Sequence, residues 1–279
     1  MQVKNLLEGI VLQQTKTDLE LNAVTYANGL FVAVGEDGAI LTSLDGVAWL
    51  PCALWRALRL NTVTYGNGLF VAVGERGTIL TSPNGVTWTW AASGTGADLR
   101  GVAYGGGLFV AVGGWDGTVF TSPDGVRWTR RASGTYAILN AVTYANGLFV
   151  AVGSGGTILT SPNGVAWTWA DSGTGVPLNA VTYGNGLFVA VGWDGTVLTS
   201  PDGVRWTQAD SGTSLRLEGV ACGNGLFMAV GQLGTILTSP DGLTWTVRDS
   251  GTYAWLRGVT YGGNRFVVVG DRGTILTSP

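Results

Sequence analysis

The sequence predicts an all-β fold, a seven-bladed β-propeller of four-stranded antiparallel blades occupying residues 1–279 as one domain. Three observations carry this. The phrase Gly-Leu-Phe-Val-Ala-Val-Gly returns with small variations, its phenylalanine at Phe31, Phe70, Phe109, Phe149, Phe188, Phe227 and Phe266, in steps of 39 or 40 residues. Each unit holds four short strand-like stretches between turn residues, the pattern of propeller blades at a period near 40. The last unit lacks its fourth stretch, and the N-terminus has a segment to spare.

The fourth unit, residues 139–177, shows the elements in order. Leu139-Asn140-Ala141-Val142-Thr143-Tyr144 reads as the first strand. Asn146-Gly147 makes a two-residue hairpin, because both central positions of a type I′ turn need positive φ. Leu148-Phe149-Val150-Ala151-Val152 is apolar at every position, so this second strand is expected to be covered on both faces. Gly153-Ser154-Gly155-Gly156 turns the chain into the third strand, Thr157–Ser161. Pro162-Asn163-Gly164 turns it again, and Val165-Ala166-Trp167-Thr168-Trp169 alternates as a half-exposed outer strand should.

The chain ends at Pro279, after the seventh unit's third strand. In complete units a tryptophan lies 14 residues before the next first-strand valine, as Trp88 does before Val102. Counting back likewise from Val24 reaches Ile10. Residues 1–14, through Gly9-Ile10-Val11-Leu12, are therefore expected to supply the last blade's fourth strand and hide its edge.

The turn before the fourth strand reads Ser43-Leu44-Asp45-Gly46-Val47-Ala48-Trp49 and recurs as Ser122-Pro123-Asp124-Gly125-Val126-Arg127-Trp128 and Ser239-Pro240-Asp241-Gly242-Leu243-Thr244-Trp245. It resembles the Asp-box (BNR) repeat, S-x-D-x-G-x-x-W, shortened by one residue. Asp-box propellers include sialidases, and similar blades occur in the photosystem II assembly factor family. The resemblance covers six of the seven units and implies a turn-stabilising box placed away from any active site. The sialidase arginine triad and tyrosine–glutamate pair have no counterpart here, and sialidases have six blades. Units two and four carry Asn84 and Asn163 in place of the box aspartate. A calcium site would suffer from losing that charge, whereas a side-chain-to-backbone turn bond would not. No metal is expected.

Composition narrows function further. Charged residues make up 12% of the chain and its formal net charge is −3, so no basic stripe offers itself to nucleic acid. Apolar runs of four to six residues are too short to span a membrane as helices. The N-terminus lacks a cationic start followed by a long apolar core, so no secretory signal is expected. Cys52 and Cys222 form no metal spacing and are expected to be free thiols. There is no histidine, and no nucleophile with an evident base, so neither enzyme activity nor a cofactor is expected.

Comparison among the units points to a binding face. The Asn-Gly and box turns are nearly constant and belong on one side. The second-to-third-strand turns and the blade-to-blade loops share the other and vary strongly. Candidate ligand-binding residues there are Trp115-Asp116, Trp193-Asp194, Tyr136, Tyr253, Trp255 and Trp55, because exposed tryptophan and tyrosine anchor interfaces or stack on sugars. The carboxylates of the second-to-third-strand turns are expected to form a solvated rim. The resulting reading is a monomeric, non-catalytic module engaging a protein or other macromolecule through the variable face. One alternative is a lectin using the two Trp-Asp turns. Another is a recently amplified or engineered propeller with no selected ligand.

Overall fold

A computed structural model describes residues 10–13, 17–54 and 58–279. Among these, the strands form seven four-stranded antiparallel sheets, each built from chain-consecutive strands except the last. Blade 4 is representative, with strands Leu139–Ala145, Leu148–Gly153, Ile158–Ser161 and Thr168–Ala170. Its Asn146-Gly147 hairpin has φ of 51° and 75°, as a type I′ turn requires. The outer strand begins later than the sequence suggests. Trp167 Nε1 donates to Gly164 O at 3.1 Å, and this bond keeps 165–167 in the turn.

The second strand is apolar throughout because its two faces pack on different neighbours. Phe70 and Ala72 of blade 2 pack against Val32 and Val34 of blade 1, while Val71 and Val73 meet Phe109 and Ala111 of blade 3. The seven repeat phenylalanines are essentially fully buried. Each contributes roughly 2–3 kcal/mol of apolar transfer, so the interfaces between blades form the core.

The ring closes as the sequence predicts. Val11–Gln13 pairs antiparallel with Ile275–Thr277, with Val11 opposite Thr277 and Gln13 opposite Ile275. Gln13 Nε2 adds a bond to Thr277 Oγ1 at 2.8 Å. Ile10 packs beside the last blade's core, as Trp88 does in blade 2. The described strand begins at Val11, one residue after the core-packing Ile10. Residues 1–9 and 14 lie outside the described residues.

The box turns are closed by side-chain-to-backbone bonds. Ser43 Oγ accepts from the Gly46 amide at 2.8 Å and donates to Asp45 Oδ1 at 3.0 Å, and that oxygen accepts from the Val47 and Ala48 amides. Asn84 and Asn163 accept the corresponding amides in the same way. Backbone amides, the Arg127 amide first, hold Asp124 well below the usual carboxylate range, and the Arg205 amide leads the same effect on Asp202. A carboxylate with a depressed folded pKa stabilises the fold above its unfolded pKa, and that stabilisation is lost as pH falls through the folded value. Asp124→Asn/Asp202→Asn should therefore melt slightly lower than wild type at neutral pH and show a flatter decline below about pH 4. Melting curves from pH 7 to 2 measure this; an unchanged acid slope would refute it.

Candidate functional site

Contacts between turns define two faces. Asn185 of the blade 5 hairpin donates to Gly225 O of the next hairpin and to Pro240 O of a box turn, placing both turn types on one face. On the other face the second-to-third-strand turn meets the blade-to-blade loop, as in Gly234 N to Ala254 O at 2.8 Å. In every blade an amide of this turn donates at 2.8–3.0 Å to the carbonyl of the residue preceding an innermost strand. This lashing carries the variable turns inward, around the mouth of the central channel.

The channel is lined by innermost strands and opens on the variable face as a cavity of about 450 Å³. Its wall carries Val24, Val102, Val142, Val181, Val220 and Val259. Above them, the second residue of each innermost strand forms a ring: Asn22, Asn61, Arg100, Asn140, Asn179, Glu218 and Arg257. The four asparagines clasp adjacent blades, each donating Nδ2 to a backbone carbonyl of the next innermost strand at 2.7–2.9 Å. With Nδ2 so engaged, Oδ1 is the atom free to accept. Asn22 Oδ1 accepts from Arg59 at 3.3 Å and Asn140 Oδ1 from Arg100 at 3.2 Å.

Around Glu218 and Arg257 a stacked cluster spans blades 5, 6, 7 and 1. The Arg216 guanidinium lies 4.6 Å from the Trp193 ring centroid and 5.5 Å from that of Trp255, and Arg257 lies 5.2 Å from Trp255. Such cation–π contacts are worth about 0.5–2 kcal/mol each, more as water is excluded. Trp255 Nε1 donates to Glu218 Oε1 at 2.9 Å. Arg216 Nη2 donates to Glu218 Oε2 at 3.2 Å, while Arg216 Nε, 2.7 Å from Oε1, has no hydrogen bond because its N–H is not aimed there. Arg257 bridges Asp271 at 2.5 Å and Glu20 at 2.8 Å. Burial pushes the Glu218 carboxyl above its usual range, against the pull of Arg216.

The sequence-predicted residues divide. Trp193 and Trp255 come together through Arg216, although Trp193 remains 43% exposed. Trp115, at 77% exposure, lies elsewhere, in blade 3. Its neighbour Asp116 accepts from Arg130 at 2.5 Å and from Thr118. Asp116, Arg130 and Tyr136 border a blade 3 groove, and Asp194, Gln208 and Asp210 border its blade 5 counterpart. Tyr136 and Tyr253 are exposed in equivalent loops. Trp55 lies outside the described residues. The rim carboxylates are not uniformly solvated: Glu36 pairs with Arg59 and Asp271 with Arg257. Both cysteines are free, and burial pushes the Cys222 thiol up to about 11. Sequence reasoning overlooked Arg100, Glu218 and Arg257, although their signal was present as charges at a position that is asparagine in the other four units.

The same ring of four-stranded blades recurs in solved structures. Virginiamycin B lyase from Staphylococcus aureus matches with a TM-score of 0.86 at 11% identity, covering 96% of this chain and 99% of that one. YCF48 bound to a D1 peptide matches at 0.78 and 18% identity, over 96% and 94% of the two chains. The chain is a seven-bladed repeat β-propeller. The WD40 propeller domain of Doa1 also matches, at 0.77 and 16% identity over 97% of each chain. Identities this low show the fold alone. No protein-family model matches the chain, and no curated protein matches it.

Proposed function

We propose that this propeller is a monomeric, non-catalytic binding module whose variable face, centred on the channel mouth, receives a peptide segment of a protein partner. One observation carries the reading. A ring position that is asparagine in four blades is charged in three, two of them (Glu218 and Arg257) beside Trp255, around a cavity about 450 Å³ in volume. The opposite face repeats its turn bonds blade after blade. Divergence confined to one face of otherwise repeated units is what selection for binding leaves on a scaffold. YCF48, similar in fold, is bound to a D1 peptide in its structure, which supports a peptide as the ligand class. A glycan on the Trp-Asp turns fits less well, because Arg216 covers one face of Trp193 and Asp116 is already bonded.

Panning a random-peptide display library tests the reading. The comparison is between wild type and Arg100→Asn/Glu218→Asn/Arg257→Asn, which restores the asparagine of the other blades. Wild type should enrich a peptide consensus that the variant, folded by circular dichroism, retains at least about tenfold less, a difference of about 1.4 kcal/mol. Equal retention, or no consensus on wild type, would remove the reading.

A further inference from the structure

We propose that the channel mouth carries a guanidinium site between blades 2 and 3, in which Asn61, Glu75 and Asp98 receive an arginine side chain of the bound peptide. The inference rests on the peptide-binding reading above and names the chemistry of its ligand.

The chain contains its own precedent one blade earlier. Arg59 Nη2 donates to Asn22 Oδ1 at 3.3 Å while Arg59 Nη1 lies 3.1 Å from Glu36 Oε1. The amide oxygen and the carboxylate thus hold two arms of one guanidinium. Asn61 and Glu75 occupy the same places in blade 2, second in the innermost strand and first in the following turn. Asn61 is oriented as Asn22 is, with Nδ2 donating to Leu99 O at 2.7 Å and Oδ1 left to accept. Where Arg59 stands in the first pair, the second has Asp98. Asp98 Oδ1 accepts the Arg76 amide at 3.0 Å, and its Oδ2 adds a third acceptor.

Among the described residues, no arginine or lysine forms an ion pair with Glu75 or Asp98. Arg100, in the same cavity, turns to Asn140 Oδ1 at 3.2 Å, so a second guanidinium also uses an amide oxygen of this ring. Asn61, Glu75 and Asp98 all line the cavity. Two carboxylates and an amide oxygen suit a planar guanidinium, held by an amide oxygen and a carboxylate on separate arms as Arg59 is.

The probe is N-acetyl-L-arginine amide, with N-acetyl-L-citrulline amide as its neutral isostere, followed by ¹H–¹⁵N NMR at the side-chain amides. The Asn61 amide should shift with the arginine probe and not with citrulline, while Asn22, already engaged, stays put. Asp98→Arg supplies in cis the guanidinium that Arg59 supplies one blade earlier; it should abolish the response and leave the melting temperature unchanged. Glu75→Gln should weaken binding at least about tenfold, as expected for loss of a charge-assisted bond. A silent Asn61, an equal response to citrulline, or a response surviving in Asp98→Arg would overturn the site. Panned peptides that bind without Asn61, Glu75 and Asp98 would overturn it while leaving the scaffold reading intact. An arginine response with no panned consensus would do the reverse.

Discussion

Deleting residues 1–14 should open the last blade and yield oligomers. Among the described residues, Val11–Gln13 cover the outer edge of Ile275–Thr277, whose side chains are buried. Removing them frees a row of unpaired backbone groups on an apolar strand, a template for pairing with another chain. The backbone bonds lost, the Gln13 bond to Thr277 and the packing of Ile10 together amount to at least about 3 kcal/mol. Size-exclusion chromatography with light scattering, alongside thermal melting, measures both effects. A truncated protein that stays monomeric and melts with wild type would mean that the N-terminal strand does not close the ring.

Two glycines two residues apart should behave very differently when changed to alanine. Gly153 has φ of −167°, extended backbone open to any residue, yet a Cβ there would sit 2.1 Å from Ile138 O. That carbonyl accepts the Ser154 amide at 2.9 Å, so neither partner can withdraw without losing the lashing of turn to loop. Gly153→Ala should cost about 3 kcal/mol, at the upper end of ordinary overpacking. Gly155 has φ of 62°, and a methyl group on its Cα would meet nothing within 4 Å. Its counterparts Asp37, Arg76, Asp194, Leu233 and Arg272 hold φ near 50° with full side chains. Gly155→Ala should cost no more than about 1 kcal/mol. Urea melts of the two variants decide this, and similar losses would contradict the close approach.

Much of this was written locally. The Asn-Gly hairpins, the uninterrupted apolar second strands and the box turns depend on residues within a few positions of one another. A hydrogen bond to Asp45 Oδ1 from amides two and three residues on can be expected from seven letters of sequence. Ring closure was legible too, because a fixed offset between units locates Ile10 without any knowledge of packing. The outer strands came out shorter than their alternation suggests, because an indole-to-carbonyl bond such as Trp167 to Gly164 is side-chain geometry that a pattern of polar and apolar letters does not encode.

The site divides along the same line. The sequence by itself determined that this is a seven-bladed ring with one constant and one variable face, because a repeat imposes the same local bonds on every copy. Only the tertiary structure decided which variable residues meet. Trp193, Arg216 and Trp255 are separated by 23 and 39 residues, and the curvature of the ring stacks them while leaving Trp115 elsewhere in blade 3. Likewise Asn61, Glu75 and Asp98 are ordinary polar letters until adjacent blades bring them into one cavity. The physical reason is distance along the chain: strands form from neighbours, whereas the mouth of a propeller gathers side chains that closure alone makes adjacent.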